Sequence, residues 1–364
     1  MNTLYNIALT LIPKIGDVLA KNLVAYCGSS EAVFKEKKDA LLKIPGIGQS
    51  AAKSIVENDV LIRAEQELEF IMKYGITPLF YLDKDYPNRL KQCNDGPVML
   101  YYKGENVLNS DKIISIIGTR NATNYGKQQC EKLVADLKEL NPVIISGLAY
   151  GIDVHAHQAA LDNELPTIAV LAHGLDKMYP AVHKSVAKKM IENGGGLLTD
   201  FKSETIANKE NFPKRNRIVA GICDAVVVVE SKKEGGSLIT ANIAVSYSRD
   251  VFAFPGKATD VYSQGCNHLI KTNRAGLIES AEDLIYQLGW QKKEKKPPTK
   301  QIPLFANLSP EEEVLVKILQ EKGNTGIDDL AYYSSIPVYK LSTLLLNLEF
   351  AGVVRSLPGK MYSI

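Results

Sequence analysis

The densest chemistry in the chain lies in seven residues, Asn211-Phe212-Pro213-Lys214-Arg215-Asn216-Arg217, which set three cations and an amide beside an aromatic ring at the head of an apolar helical stretch. Binding of a single nucleic-acid strand draws on this combination, charge for the backbone and a flat face for the bases. Arg and Lys near a helix start also oppose the helix dipole unless an anion is present. The plainer alternative is a solvated helix start with Phe212 tucked into the core.

Glycine-bearing turns supply the other half of an anion site. Gly118-Thr119-Arg120-Asn121 follows an apolar run and leads into a helical stretch, offering N–H groups, a hydroxyl and one cation where a phosphate could sit. Ser146-Gly147-Leu148-Ala149, with Gly151 just beyond, ends a second run in small residues that let backbone approach a ligand. Gly174 follows a third run, and Gly235-Gly236-Ser237, with Thr240 one turn on, opens a later helix. None is the G-x-G-x-x-G fingerprint, because Thr119-Arg120-Asn121 replace its later glycines and the second run ends in Ser146-Gly147 with no acid. No cofactor is assigned. Two anion-accepting turns and a basic cluster around one crevice suit a polyanion better than a single phosphate.

The groups that could cut or transfer bonds are scattered. His155 and His157 are two apart at a helix start and cannot share a face as metal ligands. Asp153 and Asp176 lie near the crevice without a paired nucleophile or carboxylate partner, so capping and loop fixation are expected of them. The five cysteines have no CxxC spacing and read as small buried hydrophobes. Neither a catalytic residue nor a metal site is assigned.

The elements that must hold these residues follow from periodicity. Short β-branched runs at 113–117, 143–146, 167–171, 197–199, 225–229 and 251–254 alternate with helical stretches. Near-continuous apolar strands between helices predict an α/β core, a Rossmann-like doubly wound and mostly parallel sheet with ligands at the strands' carboxyl ends. Ahead of it, Ile12-Pro13-Lys14-Ile15-Gly16 recurs as Ile44-Pro45-Gly46-Ile47-Gly48, each copy leading into an amphipathic helix. The pair resembles tandem helix-hairpin-helix motifs, whose glycines bring N–H groups to a phosphate without reading sequence. Gly46, Gly48 and Lys53 of the second copy are the better candidates for such a grip. Residues 291–304 are charged and proline-stiffened, a linker by composition. Beyond it, Ser309-Pro310-Glu311-Glu312 starts a helix, and two more helices and a small hairpin follow in the order of a winged helix. The putative recognition helix offers only Lys340 as a cation, which argues against sequence-specific duplex binding. The expected domains are residues 1–65, 66–290, 291–304 and 305–364.

Composition bounds the rest. Net charge is +2, from 43 basic and 41 acidic residues, so any nucleic-acid affinity must come from local clustering. Apolar runs fall well short of the ~20 residues of a membrane span, and the N-terminal stretch shows no basic leader or cleavage site. A soluble, cytoplasmic chain without membrane contact is expected.

Taken in order, G-T-R, S-G-L-A-Y-G-I-D, G-L-D-x-x-Y-P, F-P-K-R-N-R-I-V-A-G, G-G-S-L-I-T-A and F-P-G-K with Gly265-Cys266-Asn267-His268-Leu269-Ile270 closely resemble the DprA/Smf family. That resemblance implies single-stranded DNA binding in natural transformation, loading of the recombinase RecA and a homodimer. It puts the family's basic pocket on Arg120, Lys214, Arg215 and Arg217, and suggests Leu269 and Ile270 for the dimer and RecA-facing surface. The rival reading is enzymatic. The stretch from Arg217 through Gly235-Gly236 also resembles lysine-decarboxylase-like phosphoribohydrolases, yet Asn242 stands where their catalytic glutamate belongs, and an amide cannot act as that base.

Overall fold

The computed structural model describes residues 2–290, 308–357 and 361–364. The chain divides into two compact units, Met1–Lys292 and Lys293–Ile364. The expected linker lies outside the described residues.

The first unit opens with α1 (Asn2–Leu11), α2 (Asp17–Cys27), α3 (Ser30–Lys35), α4 (Lys38–Leu41), α5 (Gln49–Val56) and α6 (Val60–Tyr74). The internal repeat is visible in its backbone. Lys14 and Gly46 hold the same place in the two copies and both are left-handed, at φ +69° and +84°. Gly16 and Gly48 then cap α2 and α5. The hairpins touch, since Lys14 Nζ donates to Ser50 Oγ at 2.6 Å.

The sheet that follows has nine strands: β1 (Thr77–Phe80), β2 (Met99–Gly104), β3 (Ile113–Ile117), β4 (Val143–Ser146), β5 (Thr167–Val170), β6 (Gly196–Thr199), β7 (Ala225–Val228), β8 (Asp250–Ala253) and β9 (Gly276–Leu277). Their order is β1-β2-β6-β5-β4-β3-β7-β8-β9. From β6 to β9 all neighbours are parallel, while β1 and β2 add an antiparallel edge. The central strands bury both faces. In β3, Ile113 and Ile117 join one hydrophobic cluster and Ile114 and Ile116 the opposite one, as a period of two requires. Ser115, the polar residue among them, donates to Val219 O at 2.7 Å. The core is the Rossmann-like doubly wound sheet that the sequence predicts. Its strand order reverses between β3 and β7, which opens a crevice at their carboxyl ends.

Helices pack on both faces: α7 (Asn88–Lys91), α8 (Asn124–Asp136), α9 (Ile152–Asp162), α10 (Lys184–Glu192), α11 (Asn211–Gly221), α12 (Gly236–Ser246), α13 (Gln264–Lys271) and α14 (Ala281–Gln287). The helical N-terminus and the sheet share a core, because Ile7, Leu23 and Leu41 cluster with Val98, Met99 and Tyr101 of the β2 region. Residue 65 therefore falls inside continuous packing.

In the second unit α15 (Pro310–Lys322), α16 (Ile327–Ser334) and α17 (Val338–Phe350) pack with a small sheet of β10 (Thr325–Gly326), β11 (Arg355–Leu357) and β12 (Met361–Ser363), ordered β10-β12-β11. This is a winged helix. Ser309 and Glu312 form a reciprocal capping box at its first helix, with proline at the next position.

Candidate functional site

At the switch point a cleft of about 690 Å³ opens, bounded by the turn after β3, the start of α11 and the turn before α12. The first turn is held from beneath. Glu230, at the end of β7, is fully buried, and its carboxylate accepts the Thr123 N–H at 2.9 Å and the Thr123 hydroxyl at 2.5 Å. Its carbonyl accepts the Thr119 N–H at 2.8 Å. No side chain fits at Gly118, where a Cβ would stand 2.5 Å from Ile152, or at Gly126, where it would meet the Glu230 carboxylate at 2.2 Å. Gly151 presses against the Thr119 and Arg120 backbone at φ +76°. Arg120 is thereby presented on a fixed turn, exposed to solvent.

Helix α11 forms the opposite wall, and its period divides the basic motif. Phe212, Arg215, Asn216 and Val219 are spaced i, i+3, i+4, i+7 and all line the cleft. The Arg120 guanidinium lies 5.2 Å from the centre of the Phe212 ring, and Tyr179 stands 6.0 Å from that ring at an interplanar angle of 60°. Lys209, Lys232, Asn121 and the glycine turn of Gly235 and Gly236 also line the cleft. Among the described residues no carboxylate comes within ion-pair distance of Arg120, Lys209 or Lys232.

Arg215 lines the cleft but is nearly buried, with one terminal nitrogen held by backbone carbonyls. It is 4% exposed and donates to the carbonyls of Gly147 and Val170, the former at 2.7 Å. A Cβ on Gly147 would lie 2.1 Å from its Nη1, so glycine is required there for the guanidinium to pass. Burial pushes the Asp153 carboxyl above its ordinary range, against the opposing pull of Arg215, the Ala149 and Gly147 N–H groups and the Ser146 hydroxyl. Burial likewise lowers Arg215, with Asp153 acting the other way. These two groups form part of the cleft floor and brace the turn after β4.

Lys214 and Arg217 do not join Arg120, which corrects the expected pocket. They sit on the other face of α11 and line a separate groove against the helical N-terminus. Arg217 bridges Asp17 of α2 at 2.8 Å and Asp200 at 2.9 Å. Burial would lower its pKa, but those two carboxylates and their hydrogen bonds raise it instead. Burial raises Asp200, offset by Arg217.

Other expected positions separate in the same way. Ala149, Ser237 and Thr240 line the cleft, Thr240 nearly buried and Ser237 donating its hydroxyl to Ser231 at 2.8 Å. Ser146 is wholly buried and donates to Ile116 O at 2.6 Å, fastening β4 to β3 and not meeting a ligand. Gly174 lies outside the cleft, packed against Asp176 and Lys202. Gly46, Gly48 and Lys53 are exposed on the second hairpin, with Lys53 3.6 Å from Glu57. Leu269, expected at a contact surface, is 2% exposed and packs into the main core, while Ile270 beside it is partly buried. Tyr179, Lys209, Lys232 and Glu230 were not singled out by sequence. A lone acid ending the run Ala225-Val226-Val227-Val228-Val229-Glu230 is the signal that Glu230 offered.

Among the described residues no group of three His, Cys, Asp or Glu could hold a metal ion. His157 is buried, with Nδ1 2.7 Å from Thr167 Oγ1. His173 lies 2.9 Å from the Gly174 carbonyl through Nδ1 and accepts the Tyr179 N–H on Nε2 at 3.1 Å.

A doubly wound sheet with an unneutralised cationic cleft at its switch point defines an anion-binding Rossmann-like protein, carried between helix-hairpin-helix and winged-helix modules. Comparison with known proteins narrows the class: the chain belongs to the DNA recombination-mediator protein A family, the DprA/Smf proteins. That family model matches residues 77–289, the DprA winged helix domain matches 295–360 and a SAM-like helix-hairpin-helix tandem matches 7–58. The chain is 31% identical to protein Smf of Synechocystis sp., over 98% of each chain. It is 42% identical to DNA processing protein DprA of Streptococcus pneumoniae, over 56% of this chain and 71% of that one. The X-ray structure of the S. pneumoniae protein superposes with a TM-score of 0.68 at 33% identity, covering 78% of this chain and 98% of that chain. A Helicobacter pylori DNA processing protein A, described for its single-stranded DNA binding mode, gives 0.54 at 29% identity, covering 59% of this chain and 96% of that chain.

Proposed function

We propose that the chain binds single-stranded DNA in the cleft at the switch point, in the DNA processing of natural transformation and recombination. The observation that carries this reading is the pairing of cations that lack acidic partners, Arg120, Lys209 and Lys232, with the neighbouring aromatic rings of Phe212 and Tyr179. Phosphates supply the missing counter-charge, and unstacked bases find a flat face that a duplex cannot offer. The H. pylori relative's single-strand binding supports the same assignment.

Family membership extends the reading to partners. RecA is the proposed recipient of the bound strand, and a homodimer would place two clefts on one strand and raise affinity through effective concentration. The second hairpin, with Gly46, Gly48 and Lys53, is the proposed site of weak, sequence-independent phosphate contact. The cytoplasm is the compartment in which such a partner set would be met.

Binding is proposed as the whole activity. The position that phosphoribohydrolases fill with glutamate holds Asn242, whose Oδ1 accepts from Arg274 Nη1 at 2.8 Å, outside the cleft lining. Phe212→Ala tests the stacking role. It should weaken a labelled single-stranded oligonucleotide by about 1–3 kcal/mol per stacked base, with no matching loss for the duplex. Equal, substitution-insensitive binding of both forms would refute the reading.

A further inference from the structure

Resting on that reading of the cleft, we propose that the DNA strand leaves it across the rim formed by Gly235 and Ile239, and that an adjoining recess grips the phosphates that follow. Gly235 and Ile239 line both depressions, so the two communicate over one shared lip. The recess has a volume of about 290 Å³ and brings together Lys233, Asn242, His268 and Arg274, with Glu234 as the carboxylate of its lining. Adjacent residues divide between the two sites: Lys232 faces the cleft and Lys233 the recess.

The hold on Arg274 explains why the recess suits an anion. Its Nη1 donates to Asn242 Oδ1 at 2.8 Å, a neutral acceptor that orients the guanidinium and leaves its charge uncancelled. A glutamate at 242 would form a charge-assisted pair with Arg274 and compete with any phosphate. Among the described residues neither Lys233 nor Arg274 has an ion-pair partner. Gly236, where a side chain would meet nothing within 4 Å, keeps the approach along the lip open. Ile239 stands 48% exposed on that lip, an apolar surface for a sugar or base in passage. Sequence-independent backbone contact is the chemistry this arrangement supports, because it offers point charges with no second ring to stack a base.

The test uses the full chain and two labelled oligo-dT strands, one of about 5 nucleotides that the cleft alone can hold and one of about 20 that must run past it. The Lys233→Ala/Arg274→Ala variant should bind the long strand about tenfold more weakly in low salt, and lower the slope of log affinity against log salt by about 1.4, at roughly 0.7 per lost single-strand phosphate contact. The short strand should stay within about twofold of the unaltered chain, since its contacts lie in the cleft. Asn242→Glu, which keeps both cations and pairs one of them, should give a loss confined to the long strand, with the slope lowered by about 0.7. An unchanged long-strand affinity and slope would overturn the proposal, and so would equal losses for both lengths. Failure of the cleft reading itself would look different: Arg120→Ala would then leave the short strand's affinity unchanged.

Discussion

The residues behind the cleft show how burial fixes protonation as well as shape. Burial drives His157 from an ordinary pKa of 6.5 to about 3, with the His183 and Arg215 charges adding to the effect. The folded chain therefore holds a neutral imidazole where the unfolded chain takes up a proton. Stability from this group is complete above the unfolded value and is lost as pH falls from 6.5 toward 3. Between pH 7 and pH 5 the cost is about 2 kcal/mol. Urea unfolding of His157→Leu should show a correspondingly shallower loss over that interval, while Thr167 keeps its bond to the Ile144 carbonyl. Parallel pH profiles for the two chains would contradict the assignment. The residue types of the site were legible in sequence, since Arg120, Phe212 and Asn216 do line the cleft. Which of them face a ligand was not. Ser146 and Arg215 carry polar groups that the fold consumes internally, and a polar side chain in a string of letters does not disclose its partner.

At the scale of elements, α11 is the hinge of the account. Its motif reads as one basic cluster, yet a helix turns about 100° per residue, so Lys214 and Arg217 emerge opposite Phe212 and Asn216. Applying that period to the seven residues would have separated the faces. What the sequence could not reveal is that Asp17, at the start of α2, meets Arg217 across 200 positions. Asp17 also accepts the Val98 N–H at 2.8 Å, so the first hairpin's helix start is committed to the core. Asp17→Ala should lower unfolding stability by about 1.5–3 kcal/mol, the worth of hydrogen bonds to a charged group. Urea unfolding checks it, and a loss below ~0.5 kcal/mol would mean that the ion pair does not fasten the hairpins to the sheet. Six of the seven parallel strands were plain from their apolar runs, bounded by turn residues; the two-residue β9 was too short to leave such a run. The run from Gly96 to Gly104 also reads as extended and holds β2, but β1 was not legible, because Pro78 breaks its pattern and it takes its register from β2 alone.

For the whole molecule, the two units divide the work. The first carries the cleft, and in the second the helix α17 offers a single cation among the described residues. Lys340, the cation of α17, is paired with Glu311 at 2.5 Å, and the exposed Tyr339 and Phe350 dominate that helix's surface. Among the described residues no helix is long and apolar enough to cross a membrane. Deleting residues 291–364 should leave single-strand affinity within a few-fold. A loss on the order of 100-fold would show that the winged helix shares the binding. Domain order was readable from the hairpin repeat, the charged linker and the capping box. The shared core between the helices and the sheet was not, because packing between distant segments leaves no mark on composition.

If the cleft is the site, Arg120 and Lys209 capture the strand while Lys214, on the face of α11 turned away from the cleft, does not. Fluorescence anisotropy of a labelled single strand at two salt concentrations tests it most directly, using Arg120→Ala/Lys209→Ala beside Lys214→Ala. The double variant should show a shallower salt slope by about 1.4 and a collapse of affinity, with Lys214→Ala near the unaltered chain. A collapse in Lys214→Ala, with the double variant binding normally, would move the site to the opposite face of α11 and rule out the cleft.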